Sequence, residues 1–241
     1  MNFSTIEKHF KWVICFRNLY TDAAMKNYIS TLGSSTYERI KKDIIFGALA
    51  PSANLKLDGL KERYKASVTT LREALKTLAS EGFVEAAEQR GFFVSPVSKN
   101  DLIEISDLRI LLECTALKTS ITNGDADWEG NLVSARHKLQ MIEAKMRAGD
   151  TGQIELWKRY DWEFHQALIE ACNSQNLLAL HAIIYDKYFR YQILVLTNRG
   201  DEAVAEHCEM FEAALARDSQ TAIKVLERHI RLGLEHTLSA M

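Results

Sequence analysis

The chain has only two prolines, four cysteines and no long apolar run among its 241 residues. No stretch approaches the roughly 20 apolar residues that span a bilayer. The most apolar segment near the start, HFKWVICFRNLY at residues 9–20, contains charges and is followed by no cleavage pattern, which excludes a signal peptide. The cysteines form no C-x-x-C pair, so the sequence favours buried free thiols and a cytoplasmic protein. They are Cys15, Cys114, Cys172 and Cys208.

Net charge is nearly absent, at −2, but the charges are distributed unevenly. Residues 34–95 carry 10 Lys and Arg against 8 Asp and Glu, whereas residues 96–241 carry 16 against 22. The net charge is therefore +2 in the first segment and −6 in the second. A mildly basic segment joined to an acidic one suits a polyanion-binding module attached to a domain with another task.

The two prolines mark the ends of predicted units. Pro51 follows a predicted helix that begins near residues 34–37, and Pro96 precedes a segment whose apolar periodicity is helical to the end of the chain. Five polar or glycine-containing breaks divide that second segment into about six helices. We therefore predict a mainly α protein in three parts. These are a poorly ordered extension over residues 1–33, a winged helix-turn-helix domain over residues 34–96 and an all-α helical bundle over residues 97–241.

The winged domain is predicted from residues 57–94, LDGLKERYKASVTTLREALKTLASEGFVEAAEQRGFFV. The segment predicts a helix, a short turn, a second helix and two strands joined by a loop that contains glycine. A unit with this order usually places its second helix in the DNA major groove. The apolar residues of the second helix are expected to pack inward. They are Val68, Leu71, Leu75 and Leu78.

Seven residues of this unit are candidates for DNA contacts. Ser67 is placed to cap the second helix, whose N-terminus favours nearby phosphate. The candidates for phosphate, base-edge and backbone contacts are Thr69, Thr70, Arg72 and Lys76. Arg90 and Gly91 are expected at the tip of the wing, where an arginine can enter the minor groove or pair with phosphate. The alternative is that Arg72 pairs with a nearby carboxylate and that Arg90 is a solvated hairpin residue.

A second candidate site lies in the helical segment. Asp161 and His165 are four residues apart, so both side chains leave the same face of a helix. His207 and His229 each lie in a separate helical pattern. One carboxylate and three imidazoles can hold a divalent cation and leave positions open for a ligand. The alternative is a chance Asp-x3-His pair with structural histidines. The histidines at positions 137, 181 and 236 show no partner spacing.

Two strings, YERIKKDIIFGALAP and TTLREALKTLASEGFVEAAEQRGFFVSPVS, resemble the N-terminal domain of the GntR family of bacterial transcriptional regulators. The helical remainder resembles the FCD effector-binding domain of the FadR subfamily, so the resemblance covers about residues 34–240. Val68 stands where many relatives have arginine, and Thr70 stands where they have proline. Asp58 and Gly59 also depart from the family's pattern in the preceding helix.

The resemblance implies roles for the helical segment. Metal-binding FCD proteins have Asp-x3-His followed by two later histidines, and all four positions are matched here. This implies Zn²⁺ as the cofactor, with Ni²⁺ or Mn²⁺ as alternatives. The resemblance also implies that Arg109 faces the effector cavity, although pairing with Glu113 one turn later is an equal alternative. Further candidates for effector contacts are Asn176, Arg190 and Tyr191.

Together these features predict a sequence-specific DNA-binding regulator, a repressor and not an enzyme. A homodimer would bind a pseudo-palindromic operator, and a small carboxylate held at the metal would modulate its affinity for DNA. One alternative is a metal-dependent hydrolase or isomerase that acts on an organic acid and has an accessory winged domain. Such an enzyme needs an acid or base beside the metal, and Glu163 and Glu206 point about 100° away from the adjacent ligands. The other alternative is a purely structural bundle.

Overall fold

The computed structural model describes residues 35–195 and 199–241. The extension predicted over residues 1–33 lies outside the described residues, as does Cys15. The described part consists of three short helices and a two-stranded wing, followed by six longer helices. This architecture confirms the predicted mainly α fold with a winged helix-turn-helix and a helical bundle.

The first helix, α1, spans Thr36–Ile45. At its start the Ser35 hydroxyl accepts a hydrogen bond from the Glu38 amide, and the Glu38 carboxylate accepts one from the Ser35 amide. This reciprocal pair satisfies two amides that the helix leaves free. The apolar face is buried, as the spacing predicts, and consists of Ile40, Ile44 and Ile45.

Helix α2 spans Leu57–Tyr64 and helix α3 spans Val68–Ser80. The Ser67 hydroxyl accepts a hydrogen bond from the Thr70 amide at 3.1 Å, which confirms the predicted cap. The inward face of α3 is buried and consists of Leu71, Ala74, Leu75 and Leu78. The prediction for Val68 was wrong, because its side chain is 38% exposed. Side chains tilt toward the N-terminus of a helix, so the first residue of α3 projects beyond the core.

The wing is an antiparallel pair in which β1, Val84–Ala87, runs against β2, Gly91–Val94. The register pairs Val84 with Val94 and Ala87 with Gly91. Gly91 has a φ of 91°, a value that residues with a side chain rarely adopt. The turn at the tip therefore requires glycine beside Arg90.

In its described ranges the bundle contains six α-helices, which end at or near the polar and glycine breaks that the sequence predicts. They are α4 (Lys99–Asn123), α5 (Ala126–Arg147), α6 (Ile154–Ile169), α7 (Gln175–Val195), α8 (Asp201–Leu215) and α9 (Ser219–Ala240). The side chains of Ser98, Asp125 and Asp218 cap α4, α5 and α9, respectively. Facing apolar side chains of these helices form a continuous core that includes Leu117, Leu132 and Phe164.

Helix α7 contacts both the bundle and the winged unit. Its Ile183 and Phe189 pack against the apolar core of the winged unit. Asp186 Oδ2 lies 2.8 Å from Lys41 Nζ of α1. Arg190 Nη2 donates a hydrogen bond to the Ser95 carbonyl at 2.6 Å, just after the wing. A shift of α7 would therefore be transmitted to the winged unit.

The described cysteines are free thiols, as the sequence predicts. Cys172 is buried and Cys114 is half-buried, but Cys208 is exposed. The expectation of burial was wrong for Cys208 because it lies on the outer face of α8, where its thiol contacts Glu212. No helix in the described ranges is long and apolar enough to cross a membrane.

Candidate metal centre and DNA-facing surface

The four predicted metal ligands come together inside the bundle. Asp161 and His165 lie on α6, His207 on α8 and His229 on α9. One ligand atom from each residue lies within 4.8 Å of the others, and all four side chains are buried. A single ion could therefore contact all four residues.

Behind each histidine lies a carboxylate that accepts a hydrogen bond from Nδ1. The three contacts are Glu113 Oε2 to His165 at 2.8 Å, Glu143 Oε1 to His207 at 2.8 Å and Glu206 Oε2 to His229 at 2.7 Å. A proton on Nδ1 leaves the lone pair of Nε2 for a metal. The tautomer that a metal requires is thus favoured at all three histidines.

Each of these carboxylates is also paired with an arginine. The pairs are Arg109 with Glu113 at 2.5 Å, Arg136 with Glu143 at 2.9 Å and Arg199 with Glu206 at 2.6 Å. Arg109 and Arg199 also approach Nδ1 of His165 and His229, at 3.2 and 2.9 Å. An arginine cannot accept a proton, and the carboxylate contacts are shorter, so we assign the Nδ1 protons to the carboxylate bonds.

Two of the Nε2 atoms that face the centre of the cluster have no hydrogen-bond partner among the described residues. Nε2 of His165 and Nε2 of His207 are buried and form no hydrogen bond with any described residue. The latter lies 3.2 Å from Asp161 Oδ1, but the angles do not meet hydrogen-bond geometry. Tyr185 donates to the other oxygen of Asp161, Oδ2, at 2.9 Å. Buried polar atoms without partners need an explanation, and a set of three nitrogens and one oxygen fits Zn²⁺, with Ni²⁺ and Mn²⁺ as alternatives.

The protonation states of the metal-free cluster follow from its burial and its charges. Burial lowers the pKa of His165, and it lowers the pKa of His229 to about 3. Burial also acts on His207, but the close carboxylates of Asp161 and Glu143 outweigh it and raise the pKa of His207. His207, between two carboxylates, therefore binds a proton more readily than a free imidazole does. Metal binding requires the neutral form of His207, which couples metal affinity to pH.

Arg109 lies in this cluster but is not free. It is buried, and its Nε donates to Glu113, so the predicted alternative of a pair within the helix is realised. Its guanidinium lies 4.5 Å from the ring centre of Tyr185 and 4.7 Å from that of Tyr188. Arg109 therefore positions Glu113, which in turn orients His165.

The other three effector candidates lie elsewhere. Asn176 is exposed in the first turn of α7. Arg190 and Tyr191 line a separate cavity of about 380 Å³ between the winged unit and the bundle. Tyr191 donates to Asp101 there at 2.6 Å and accepts from the Ser98 amide at 3.0 Å. The structure does not bring these three residues to the metal centre.

The sequence did not predict the contacts that five further residues make in this cluster. They are Glu113, Glu143, His181, Tyr185 and Glu206. None lies near the residue it contacts in the sequence, because Glu206, although adjacent to His207, contacts His229. His181, which showed no partner spacing, lies with its Nε2 3.1 Å from Glu113 Oε1. Neither candidate acid or base is free at the metal's open side, because Glu206 supports His229 and Glu163 forms a surface pair with Lys138.

All seven candidates for DNA contacts are exposed, on α3 or at the tip of the wing. Arg72 forms no ion pair with any residue in the described ranges, and Glu73 pairs instead with Lys76 at 2.9 Å. The carboxylate pair considered as an alternative role for Arg72 is therefore not present there. This leaves the Arg72 guanidinium available to a partner outside the chain.

Comparison with known proteins finds family models that match the winged unit and the helical bundle. The family model described as bacterial regulatory proteins, gntR family, matches residues 32–94, and the model of the FCD domain matches residues 104–232. An uncharacterized HTH-type transcriptional regulator, BphR, from Paraburkholderia xenovorans strain LB400 is 36% identical over 204 residues. These cover 84% of this chain and 83% of that protein.

A second relative is the HTH-type transcriptional repressor GlaR of Escherichia coli K12, which is 29% identical over 80% of this chain and 90% of its own length. The solved structure of McbR/YncC from E. coli has the same fold, with a TM-score of 0.71, 23% identity and coverage of 85% of this chain and 95% of that one. The relatives and neighbours are transcriptional regulators. The chain is accordingly a regulator with a DNA-binding and an effector-binding domain, and not an enzyme.

Proposed function

The chain belongs to the GntR family of bacterial regulatory proteins and carries an FCD domain, and on this premise we propose that it is a metal-dependent repressor that responds to a small carboxylate. Residues 34–96 bind the operator. Residues 97–241 bind the metal and the effector and form the dimer interface. The protein acts in the cytoplasm. The repressor assignment is supported by the similarity to the repressor GlaR.

The observation that carries the proposal is the buried cluster of Asp161, His165, His207 and His229. A structural bundle does not need three buried histidines with their inner nitrogens directed at one point. When bound, a divalent ion supplies open coordination positions for a carboxylate. The chain's own residues orient the ligands and exclude bulk water from the site.

Operator binding is assigned to the exposed end of α3 and the wing. The N-terminus of α3 offers free amides and a positive dipole end to phosphate, with Ser67, Thr69 and Thr70 beside it. Arg72 reaches a base edge, and Lys76 reaches the backbone. Arg90 contacts the minor groove or a phosphate, and Gly91 allows the wing to approach closely.

Dimer formation is assigned to an apolar surface of the bundle. Leu108 and Leu111 of α4 are 45% and 62% exposed, and Leu180 of α7 is 56% exposed. Leu108 and Leu111 are three residues apart and therefore lie on one side of α4, which packs against α7. A second copy that covers this side would place two winged units for the two halves of a pseudo-palindrome.

Coupling between the two sites is assigned to α7. Its Tyr185 donates to the metal ligand Asp161, and the next residue, Asp186, pairs with Lys41 of the winged unit. An effector that changes the position of Asp161 would therefore bias the placement of the DNA-binding unit. Such coupling is reciprocal, so DNA must weaken effector binding as much as the effector weakens DNA binding.

Thermal unfolding of the full chain tests the proposal, with metal loaded or removed by a chelator and with a panel of organic acids. We expect one or more acids to raise the melting temperature only when metal is present. A gel-shift assay with genomic fragments tests operator recognition, and we expect sequence-preferring retardation at moderate salt. Acid protection that persists in the chelator would contradict the metal site, and uniform retardation of all fragments would contradict operator recognition.

A further inference from the structure

A small cavity adjoins the metal centre within the bundle. Its volume is about 30 Å³, room for roughly two water molecules. Asp161 and His229 form part of its wall, so the cavity opens onto two of the ligands. The lining also includes the polar residues Lys158, Tyr188, Gln192, Arg199, His236 and Thr237.

Lys158 is the unusual member of this lining. It lies one turn before Asp161 on α6 and is only 2% exposed. Its Nζ donates to Gln192 Oε1 at 2.9 Å and lies 4.2 Å from the ring centre of Trp157. No carboxylate oxygen of the described residues lies within ion-pair distance of this ammonium, and burial lowers the pKa of Lys158 to about 7. A buried ammonium without a carboxylate destabilises the fold, which indicates that it serves an anion from outside the chain.

The charge balance of the centre indicates how many negative charges are missing. The carboxylates behind the three histidines are each neutralised by an arginine. The buried groups that remain near the cavity are the Asp161 carboxylate and Lys158, and their charges cancel when Lys158 is protonated. A divalent ion bound to neutral histidines would then leave a charge of +2. Two negative charges from the ligand would restore neutrality inside the bundle.

Two further residues line the cavity with Lys158, and one of them lacks a hydrogen-bond partner among the described residues. Nε2 of His236 is buried and has no partner among the described residues. Gly233 lies so close to Tyr188 that a Cβ at this position would come within 2.7 Å of the Tyr188 hydroxyl. Glycine here keeps that hydroxyl at the cavity wall. Lysine, histidine and tyrosine side chains thus line the cavity and can offer donors to an anion there.

We propose that the effector is a dicarboxylate, with one carboxylate on the metal and the other paired with Lys158 beside His236. This inference rests on the metal site of the proposed function and adds the class of effector. The cavity is smaller than a dicarboxylate, so the lining must rearrange on binding.

Isothermal titration of the Zn²⁺-loaded full chain tests this inference. The probes are succinate, glutarate and adipate, each compared with the monocarboxylate of equal carbon number, namely butyrate, valerate and hexanoate. We expect the best dicarboxylate to bind about 10- to 100-fold more tightly than its monocarboxylate, because a hydrogen bond to a charged group contributes about 1.5–3 kcal/mol.

A Lys158→Met variant removes the charge and keeps most of the side-chain volume. We expect it to retain metal and to lose the preference for dicarboxylates. Lys138→Met, which alters an exposed lysine on α5, is the matched control and should keep the preference. If Lys158→Met does not fold, the comparison of acids on the wild-type protein still decides the question.

The outcomes separate this inference from the proposed function. Equal affinity for both classes of acid, or an unchanged preference in Lys158→Met, overturns the role of Lys158 and leaves the metal site intact. Monocarboxylate binding that disappears with the chelator supports the proposed function alone. If none of the six acids binds the metal-loaded chain, the dicarboxylate inference is wrong, and a thermal screen without any responding acid would then also contradict the proposed function.

Discussion

The DNA-facing surface and the metal centre differ in how their side chains are held. Arg72 and Arg90 are exposed on α3 and the wing, and Arg72 has no ion pair within the described ranges. In the metal centre, every histidine contacts a carboxylate that is itself paired with an arginine. The first surface can adapt its side chains to DNA, whereas the second is fixed before its ligand arrives. Recognition of an ion requires this rigidity, because small errors in ligand position weaken coordination.

The largest expected effect is the loss of a ligand. In His207→Ala, the affinity for Zn²⁺ should fall by more than the roughly 10- to 100-fold typical of losing an outer partner. Binding to DNA in the absence of effector should persist, because the winged unit has its own apolar core. Titration of metal-free protein with Zn²⁺ measures the first quantity and fluorescence anisotropy with DNA measures the second. Equal Zn²⁺ affinity in wild type and variant would exclude the site.

The next largest effect tests whether the carboxylates behind the histidines contribute to Zn²⁺ binding. In Glu206→Gln, His229 loses its charged partner, and the affinity for Zn²⁺ should fall about 10- to 100-fold. Glu209→Gln is the matched control, since Glu209 lies on the same helix but pairs with Arg228 at the surface. An equal change in both variants would mean that Glu206 acts through general charge and not through His229.

A smaller effect is expected at the exposed surface. Arg72→Ala should reduce affinity for the operator by about 1–3 kcal/mol, roughly 5- to 150-fold, through loss of one base-edge contact. Its Zn²⁺ affinity should not change. Arg147→Ala, an exposed arginine on α5, should alter neither quantity. Anisotropy titrations at fixed salt measure the DNA affinity, and an Arg72→Ala protein with wild-type affinity would remove α3 from the proposed interface.

The smallest effect concerns pH. The pKa of His229 is about 3 in the folded metal-free protein, against an ordinary value of 6.5. Between these values the unfolded chain binds a proton that folded His229 does not, so stability falls as the pH decreases below 6.5. His165 acts in the same direction, and His207, whose pKa is raised, partly opposes both. We expect the melting temperature of metal-free protein to decrease from pH 7 to pH 5, and no decrease would mean that the histidines are not buried in neutral form.

The two regions also differ in how far the sequence predicted them. The helix-turn-helix and wing follow from local signals, such as the cap at Ser67 and the glycine at position 91. The four ligands were identified because Asp161 and His165 share a helix face and because the family pattern supplied the later histidines. The outer carboxylates were not predicted, because Glu113 and Glu143 lie 52 and 64 residues from the histidines they contact. Only the packing of α4, α5 and α6 against the other helices brings them together.

The same limit explains the effector candidates. Arg190 and Tyr191 lie on α7, the helix that also carries Tyr185 of the metal centre. Their side chains instead contact Ser95 and Asp101, near the winged unit. Lys158 belongs to no motif that the sequence analysis recognised. Its significance depends on the absence of a carboxylate within ion-pair distance, which only the folded arrangement of the described residues reveals.

The central claim is that a carboxylate acts on DNA binding through the metal held by Asp161 and its three histidines. The most direct test is the affinity for an operator fragment, measured by anisotropy with and without the acid that protects the protein from thermal unfolding. The acid should weaken DNA binding in Zn²⁺-loaded wild type and have no effect after chelation or in His165→Ala. An equal effect of the acid in all three samples would contradict the claim.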